Sequence, residues 1–270
     1  MADAVFELKD IQFSYLGRYP ALRGVTMNIN KGEKIAVIGA NGSGKSTLLH
    51  VLDGLISPDY GTIKAFGRKL DGCALNDKGF NRDFRSRVGL LFQNSDIQLF
   101  CPTVKEDIVF APLNFGFETE KIQESFNRVC NILNIEDLAA RSPHRLSVGE
   151  KRKVALASIL IFSPEVLILD EPTAGLDPRT ARELIDLLIE YHEEGKTVIT
   201  ATHDLHILGE IADTVYVFGQ DKRIIRVGSA GEILEDDDFL SSNNLIHIHR
   251  HRHQSRVRTH PHRHLDHHPG

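Results

Sequence analysis

The octapeptide GANGSGKS, at residues 39–46, constrains the fold of this chain more than any other segment. It fits the pattern G-x-x-x-x-G-K-[ST], in which consecutive backbone N–H groups and a helix N-terminus surround phosphate groups. The apolar run KIAVIG (residues 34–39) predicts a buried strand before it, and STLLHVLDGL (residues 46–55) predicts a helix after it. A glycine-rich turn that binds nothing would not explain both flanking elements.

Several positions of this loop have a predicted role toward a nucleotide. Glycines let the backbone wrap closely around phosphate. Lys45 is expected to reach the β- and γ-phosphates, and Ser46 is expected to coordinate Mg²⁺. ATP and Mg²⁺ are therefore the expected cofactors, and the predicted nucleotide-binding residues of the loop are Gly39, Asn41, Gly42, Ser43, Gly44, Lys45, Ser46 and Thr47.

A second motif, VLILDE at residues 166–171, supplies acidic groups at the end of another apolar run. A buried parallel strand that ends at Asp170 places this carboxylate at the carboxyl edge of a sheet, where ligands bind in such folds. Asp170 is expected to hold Mg²⁺ through its hydration shell, and Glu171 is suited to polarise the attacking water as a general base. Two acids that merely open a surface loop are the alternative.

The order of the predicted elements indicates an α/β fold. Strands are predicted at residues 166–170 and 197–202 with a helix at 179–194 between them, an order typical of a parallel sheet covered by helices. An amphipathic helix is predicted at 118–135, where apolar residues repeat at helical spacing. Further strands are predicted at residues 5–15, 25–29, 214–219 and 223–228.

Composition and charge exclude several classes of protein. No apolar run approaches the roughly 18 residues that a membrane span needs, and MADAVFELKD lacks a signal-peptide pattern, so a cytosolic chain is expected. The three cysteines have no metal-ligand spacing and are expected to be reduced, mostly packed thiols. The segment from His247 to the end carries five arginines and one aspartate, a charge of +4. Since the net charge of the whole chain is −5, the rest of the chain carries −9. This acidic body argues against nucleic acid as the main partner.

The segment LSVGEKR, at residues 146–152, resembles the signature of the ATP-binding-cassette (ABC) ATPases, which runs close to LSGGQ and precedes the second acidic motif. From the residues alone, Ser147 and Glu150 form a capping box that opens a helix ending near Phe162. The resemblance implies that Ser147 and Gly149 also face the γ-phosphate of ATP held by a partner subunit. Val148 stands where the family usually has glycine.

Other positions match the same family in order. Tyr15 resembles the aromatic residue that stacks on adenine, although a plain strand-end tyrosine would look the same. Gln93 resembles the glutamine that senses Mg²⁺ and the attacking water, and His203 resembles the histidine that contacts the γ-phosphate. Asp177 ends a loop, AGLD, that resembles the one crossing to the second subunit, and it is also a plain helix N-cap before Pro178.

The resemblance covers nearly the whole folded part and implies the ABC-type fold of P-loop NTPases, with an antiparallel β subdomain and a helical subdomain. It places the ATPase domain at residues 1–240, the helical subdomain at roughly 94–163, and a flexible His/Arg-rich tail at 241–270. It implies ATP hydrolysis by a dimer, in which each site joins Ser147 and Gly149 of one chain to Lys45, Ser46, Gln93, Asp170, Glu171 and His203 of the other.

A narrower resemblance covers VGLLFQNSDIQLFCPTVKEDIVFAPLNFG, at residues 88–116. This segment is similar to the ATPases of energy-coupling-factor importers, especially their cobalt/nickel branch, in which it lines the groove for a coupling helix. An ordinary strand-to-helix connection is the alternative. The resemblance implies a place at the cytoplasmic face of the membrane, no nucleic acid, and three partners: a second ABC ATPase subunit, identical or related, a transmembrane energy-coupling subunit, and a substrate-capture subunit.

The last 24 residues hold nine of the 14 histidines, alternating with arginines rather than in the contiguous run of a purification tag. In an extended chain His247, His249, His251 and His253 lie on one side, and neutral imidazoles bind borderline metals such as Ni²⁺ and Co²⁺. The interleaved arginines suit anionic lipid or nucleic acid instead. A disordered tail without effect is the third interpretation.

Four functions therefore compete, of which the fourth, a metal-storage protein, leaves the ATP motifs unexplained. The first is an energy-coupling ATPase for uptake of Co²⁺ or Ni²⁺, and the second is the same kind of ATPase for uptake of a vitamin. The third is a soluble ABC ATPase of DNA repair or translation. Repair relatives carry a long coiled-coil insertion, and no heptad run lies between the phosphate loop and the signature here. Translation relatives carry two cassettes in one chain, whereas this sequence has one.

Overall fold

A computed structural model describes residues 3–253 and 256–262 of the chain, with side chains described over residues 3–246. The chain forms two compact units. Unit 1 consists of Met1–Lys69 and Ile199–Gly270, and unit 2 consists of Leu70–Val198. Within the described residues, no helix has both the length and the apolar character needed to cross a membrane.

The strands are, in chain order, β1 (Ala4–Tyr15), β2 (Tyr19–Asn30), β3 (Lys34–Gly39), β4 (Tyr60–Ala65), β5 (Arg68–Lys69), β6 (Val88–Leu91), β7 (Val166–Asp170), β8 (Thr197–Thr202), β9 (Thr214–Phe218), β10 (Ile224–Ser229), β11 (His247–His253) and β12 (Arg256–His262). The helices are α1 (Lys45–Leu52), α2 (Gly72–Asn76), α3 (Lys78–Arg87), α4 (Val104–Asn114), α5 (Thr119–Leu133), α6 (Val148–Leu160), α7 (Pro178–Glu193), α8 (Leu208–Ile211), α9 (Ala230–Leu234) and α10 (Asp237–Ser242). Short 3-10 turns lie at Ser95–Ile97, Glu136–Leu138 and Pro143–Arg145.

Unit 1 contains an antiparallel sheet with the strand order β2-β1-β4-β5. The predicted strand at residues 5–15 is confirmed as β1, which buries Phe6, Leu8 and Ile11. The prediction at 25–29 covers only the second half of β2. The first half was missed because Pro20 and Gly24, residues that are rare inside strands, interrupt its alternation.

Unit 1 also contains the parallel pair that carries the phosphate loop. β3 runs parallel to β9, and β9 pairs antiparallel with β10, which confirms the predicted strands at 214–219 and 223–228. The apolar residues of β3 are completely buried, as its continuous apolar run predicts. Further along the chain, β11 pairs antiparallel with β12, with His247 opposite His262 and His249 opposite His260.

Unit 2 contains the parallel pair β6–β7 and the helices α2 to α7. α5 confirms the predicted amphipathic helix, and its buried residues include the predicted stripe of Ile122, Phe126, Val129 and Leu133. The helix ends where Asn134 adopts a left-handed conformation with φ of +53°. α7 spans Pro178–Glu193, within one residue of the predicted helix at 179–194. Apolar side chains of α4 to α7, β6 and β7 form one hydrophobic core.

The three cysteines are free: Cys73 is exposed, Cys101 is half-buried and Cys130 is buried. Burial raises the pKa of the Cys130 thiol to about 11. Burial, together with the Asp107 carboxylate, raises the pKa of Cys101 to about 11. Both thiols therefore stay protonated at neutral pH and are poor nucleophiles.

Candidate nucleotide-binding and hydrolysis site

The predicted phosphate loop lies between β3 and α1 in unit 1. Gly44, the last residue before α1, has φ of +112°, and a Cβ atom there would lie 2.3 Å from the carbonyl oxygen of Ala21. Only glycine fits this position. Lys45 is buried, and its Nζ donates to the carbonyl oxygen of Gly39 at 2.7 Å. Its ammonium group therefore lies across the start of the loop.

The hydroxyl of Ser43 shows how the loop suits an anion. Its Oγ is buried and, within the part of the chain that the structure describes, has no hydrogen-bond partner. A buried polar group without a partner costs about 1–3 kcal/mol, and a phosphate oxygen would satisfy this donor. The loop thus combines an unsatisfied hydroxyl, a buried ammonium group and the N-terminus of α1, all of which favour phosphate.

Tyr15 and Lys222 of unit 1 make side-chain contacts with the loop or with α1, and His203 follows β8. The Tyr15 hydroxyl lies 3.2 Å from Oγ1 of Thr47 on α1, while the ring stays partly exposed and so remains available for stacking. His203 is exposed and directly follows β8. Lys222, in the turn between β9 and β10, donates to the carbonyl oxygen of Gly42. No sequence motif marked this second lysine, because only the fold of unit 1 brings it to the loop.

The acidic motif lies at the end of β7 in unit 2, as predicted. Asp170 is the last residue of the strand, and both Asp170 and Glu171 are buried. Glu171 has φ of +47°, a left-handed conformation that is uncommon for a residue other than glycine. Such strain costs of order 1–3 kcal/mol and is concentrated at functional sites. Glu171, with its buried side chain on this strained backbone, is therefore the strongest candidate for a catalytic group in unit 2.

The signature segment opens α6 with the predicted capping box. The backbone N–H of Glu150 donates to Oγ of Ser147, and the backbone N–H of Ser147 donates to Oε2 of Glu150 at 2.7 Å. This backbone hydrogen bond holds the pKa of the Glu150 carboxyl below its ordinary value. Val148, at the first helical position, is 60% exposed, so its side chain needs no space inside unit 2.

The signature and the 174–177 loop come together in unit 2. A Cβ atom on Gly149 would lie 3.3 Å from Cγ2 of Thr180, so the glycine packs closely against the start of α7. Asp177 caps α7, because its Oδ1 accepts the backbone N–H groups of Arg179 and Thr180 at 3.1 Å. Ser147, Gly149 and Asp177 line one open cleft of about 520 Å³. Asp177 is thus the N-cap of α7, as predicted, and it also lines the cleft.

Gln93 and Arg152 connect further segments of unit 2. The Gln93 side chain is exposed, and its backbone carbonyl accepts a hydrogen bond from the guanidinium of Arg152 at 2.8 Å. Burial lowers the pKa of this guanidinium, and the charge of Asp170 opposes that shift. Arg152 was not singled out from the sequence, because its partners lie about 20 and 60 residues away in the chain.

The segment after Gln93 carries four exposed apolar residues, here called the apolar patch: Ile97, Phe100, Phe110 and Leu113. The rings of Phe100 and Phe110 contact edge to face, with centroids 4.9 Å apart, and are 63% and 45% exposed. The buried Asp107 carboxylate accepts the backbone N–H groups of Phe100 and Cys101 and fixes the turn before α4. Neighbouring apolar side chains on a surface mark an interaction site.

Metal-ligating clusters are absent from residues 3–246, where no group of three or more His, Cys, Asp or Glu side chains is placed to hold an ion. The side chains of the predicted tail ligands His247, His249, His251 and His253 lie outside the described residues. These four assignments therefore stay predictions.

Comparison with known proteins defines the class. The sequence profile of the ABC transporter family matches residues 22–174, more than half of the chain. The chain is also 46% identical over 232 residues to the nickel import ATP-binding protein NikO of Rhodobacter capsulatus, covering 85% of this chain and 91% of that protein. The chain belongs to the ABC transporter ATPases and is an ATP hydrolase.

Two further similarities indicate the type of ABC ATPase. The chain is 39% identical over 245 residues to the energy-coupling factor transporter ATP-binding protein EcfA of Methanothermobacter thermautotrophicus, covering 89% of this chain and 76% of that protein. It superposes with a TM-score of 0.76 and 36% identity on cbiO1 from Clostridium perfringens, part of the ABC transporter complex cbiONQ, covering 90% and 95% of the two chains. The chain is an ATPase of the energy-coupling-factor type.

These findings confirm the predicted family, the ABC-type fold with antiparallel and helical parts, and the ATPase activity. Binding of ATP follows from the family, whose members act as dimers together with membrane components. The roles of individual site residues, the domain bounds and the flexibility of the tail stay predictions.

Proposed function

We propose that this chain drives import of Ni²⁺ or Co²⁺ as the ATP-hydrolysing subunit of an energy-coupling-factor importer at the cytoplasmic face of the membrane. Its partners are a second ABC ATPase subunit, identical or related, a transmembrane energy-coupling subunit and a substrate-capture subunit. The observation that carries the coupling role is the exposed apolar patch. The ion is supported by the likeness to a nickel import protein over 85% of the chain and by the histidine-rich tail.

The apolar patch receives the coupling helix of the transmembrane subunit. Phe100 and Phe110 form its centre, and Asp107 keeps the Phe100 turn in place by accepting two backbone N–H groups. An amphipathic helix placed on this surface would bury aromatic side chains, the kind of contact that contributes most to interfaces. ATP-driven movement of unit 2 would then be passed to the membrane.

The coupling role is tested by substituting one ring of the patch. Phe110→Asp is expected to abolish co-purification with the transmembrane subunit, because a charge replaces a buried contact, while ATP binding is retained. Val227→Asp is the matched control, since Val227 is also half exposed but lies on β10 in unit 1. Equal loss of assembly in both variants, or normal assembly of Phe110→Asp, would contradict the proposal.

The proposed chemistry assigns a role to each predicted site residue. Lys45 and the loop residues Gly39, Asn41, Gly42, Ser43 and Gly44 bind the phosphates, Thr47 continues the loop into α1, and Tyr15 stacks on adenine. Glu171 takes a proton from the attacking water, and Gln93 and His203 orient that water and the γ-phosphate. Ser147, Gly149 and Asp177 complete the site of the second subunit, because a helix N-terminus opened by Ser147 favours an anion.

The proposed Mg²⁺ site uses Ser46, Asp170 and Gln93. Their hydroxyl, carboxylate and amide oxygens are hard donors of the kind that Mg²⁺ takes, and Asp170 acts through the hydration shell. Bound by these residues, Mg²⁺ would neutralise the charge that develops on the phosphates during hydrolysis.

The tail is proposed to collect Ni²⁺ or Co²⁺ through His247, His249, His251 and His253. The backbone register of β11 and β12 pairs His247 with His262 and His249 with His260. Titration of the full chain with Ni²⁺ is expected to show tight sites that are lost on deletion of residues 247–270. Unchanged Ni²⁺ affinity after the deletion would sink the tail proposal, and binding of the tail to anionic vesicles instead would favour a lipid contact.

A further inference from the structure

Arg152 joins three segments that the proposed chemistry uses. It lies on α6, five residues after Ser147, and only 4% of it is exposed. Its guanidinium donates to the carbonyl oxygens of Phe92 and Gln93, both at 2.8 Å, and is 3.5 Å from the carbonyl oxygen of Ala174. The first two carbonyls belong to the Gln93 segment, and Ala174 opens the loop that ends at Asp177. One side chain therefore connects the signature helix to both segments.

Stability alone does not explain an arginine at this position. Within the described residues, the buried Nε of Arg152 has no hydrogen-bond partner. A buried charge stabilises a fold only when its hydrogen bonds are complete, and an apolar side chain of similar length is often equally good or better. The planar guanidinium does provide several donors in a rigid fork, which can hold more than one backbone segment at once. This geometry suits alignment of segments.

We propose that Arg152 is a positioning residue that holds the Gln93 segment and the 174–177 loop in register with the helix opened by Ser147. The inference rests on the proposed roles of Gln93, Ser147 and Asp177. When the signature of one chain closes on ATP, α6 carries that movement through Arg152 to the backbone of Gln93. Each subunit contributes Gln93 to one ATP site and Ser147 to the other. Hydrolysis at the site that contains its Gln93 thereby depends on the contact of its Ser147 with ATP at the other site.

The test is a double-mutant cycle in ATP hydrolysis by the full chain, with Arg152→Met, Gln93→Ala and both together. Arg152→Met is expected to lower kcat about 10- to 100-fold, the effect of a small misplacement of a reacting group. KM for ATP is expected to change less than about twofold, because Arg152 lies outside the phosphate loop. The double variant is expected to be no slower than the slower single variant, since both changes act through Gln93.

Two controls separate alignment from folding. Arg87→Met changes another arginine of unit 2, whose guanidinium pairs with Glu165 and Asp83, and is expected to leave kcat unchanged. Arg152→Lys keeps the charge but reaches fewer carbonyls at once, so it is expected to recover part of kcat, and it carries the test if Arg152→Met fails to fold. Thermal unfolding of each variant shows whether unit 2 is intact.

Three results would overturn the inference: losses of kcat that multiply in the double variant, an unchanged kcat in Arg152→Met, or a loss in Arg152→Lys equal to that in Arg152→Met. Failure of the proposed function gives a different pattern. A normal kcat in Gln93→Ala removes the catalytic role of Gln93 and, with it, the partner through which Arg152 would act.

Discussion

At Ser147 a single hydroxyl serves both the fold and the proposed chemistry. It accepts the backbone N–H of Glu150 at the start of α6, and the same residue lines the cleft with Gly149 and Asp177. The S-x-x-E spacing predicted this cap from the sequence, because both partners lie within one helical turn. Arg152 could not be predicted in the same way, since its carbonyl partners become neighbours only in the folded unit.

Replacing Ser147 separates its two roles when a second capping box is used as the control. Ser229 and Glu232 form the same box at α9. Ser147→Ala and Ser229→Ala are each expected to cost about 1 kcal/mol of unfolding free energy, the usual loss for an N-cap. Only Ser147→Ala is expected to lower ATPase activity. Equal activity of the two variants, measured beside urea unfolding, would leave Ser147 with a capping role alone.

Replacing Glu171 tests the general base. Glu171→Gln keeps the size of the side chain but removes its basicity, so kcat is expected to fall about 10²- to 10⁴-fold while ATP still binds. Glu165→Gln is the control, because Glu165 precedes the same strand and its carboxylate accepts from Nε of Arg87 at 2.7 Å. Comparable ATPase activity of Glu171→Gln and the wild-type chain would assign the base elsewhere.

At the scale of elements, periodicity predicted the strands and helices whose apolar residues all face a core. β3, β7, α5 and α7 were found within a few residues of their bounds for this reason. α4 was missed, because its pattern mixes buried Val104 and Ile108 with exposed Phe110 and Leu113 and contains Pro112. The exposed residues that obscured the helix are those of the apolar patch.

The close contact between β6 and α6 gives an element-scale prediction. A Cβ atom on Gly89 would lie 2.1 Å from Cγ2 of Ile159, so Gly89→Ala is expected to destabilise the chain by about 1–3 kcal/mol through overpacking. Gly72→Ala, with no neighbour within 4 Å, is the control and should not destabilise. Denaturant unfolding measures both. Adding Ile159→Ala should reduce the cost of Gly89→Ala, and an unchanged cost would exclude the steric cause.

Helix caps also predict how stability responds to pH. The backbone N–H groups of Ser147 and Ser229 lower the pKa of Glu150 and Glu232 from 4.5, so both carboxylates stabilise the fold above pH 4.5. This contribution to the free energy of unfolding is expected to disappear as the pH falls through the pKa values of the two carboxyls in the folded protein, which lie below 4.5. Glu232→Gln, which keeps the hydrogen bond without the titration, should show a smaller loss of unfolding free energy between pH 6 and about pH 3. If the free energy of unfolding of Glu232→Gln and of the wild-type chain fell in parallel with pH, titration of Glu232 would not be the cause.

At the scale of the whole molecule, the sequence was sufficient to predict the class, because the phosphate loop, the signature and the second acidic motif follow in order along one chain. The family and the energy-coupling-factor type were then confirmed by relatives that cover most of its length. In the proposed importer the membrane partners are separate chains, so no periodicity or motif of this chain alone specifies the transported ion. The histidine-rich tail and the nickel import relative support the proposal that the ion is Ni²⁺ or Co²⁺.

Uptake of labelled Ni²⁺ and Co²⁺ tests the central claim most directly. Cells that carry this chain with its membrane partners are compared with cells that carry the Glu171→Gln version. We expect wild-type cells to accumulate one of the two ions and Glu171→Gln cells to accumulate neither above background. If the wild-type chain hydrolyses ATP but its cells accumulate no more of either ion than the Glu171→Gln cells, metal import is contradicted. That result would favour an energy-coupling ATPase for a vitamin.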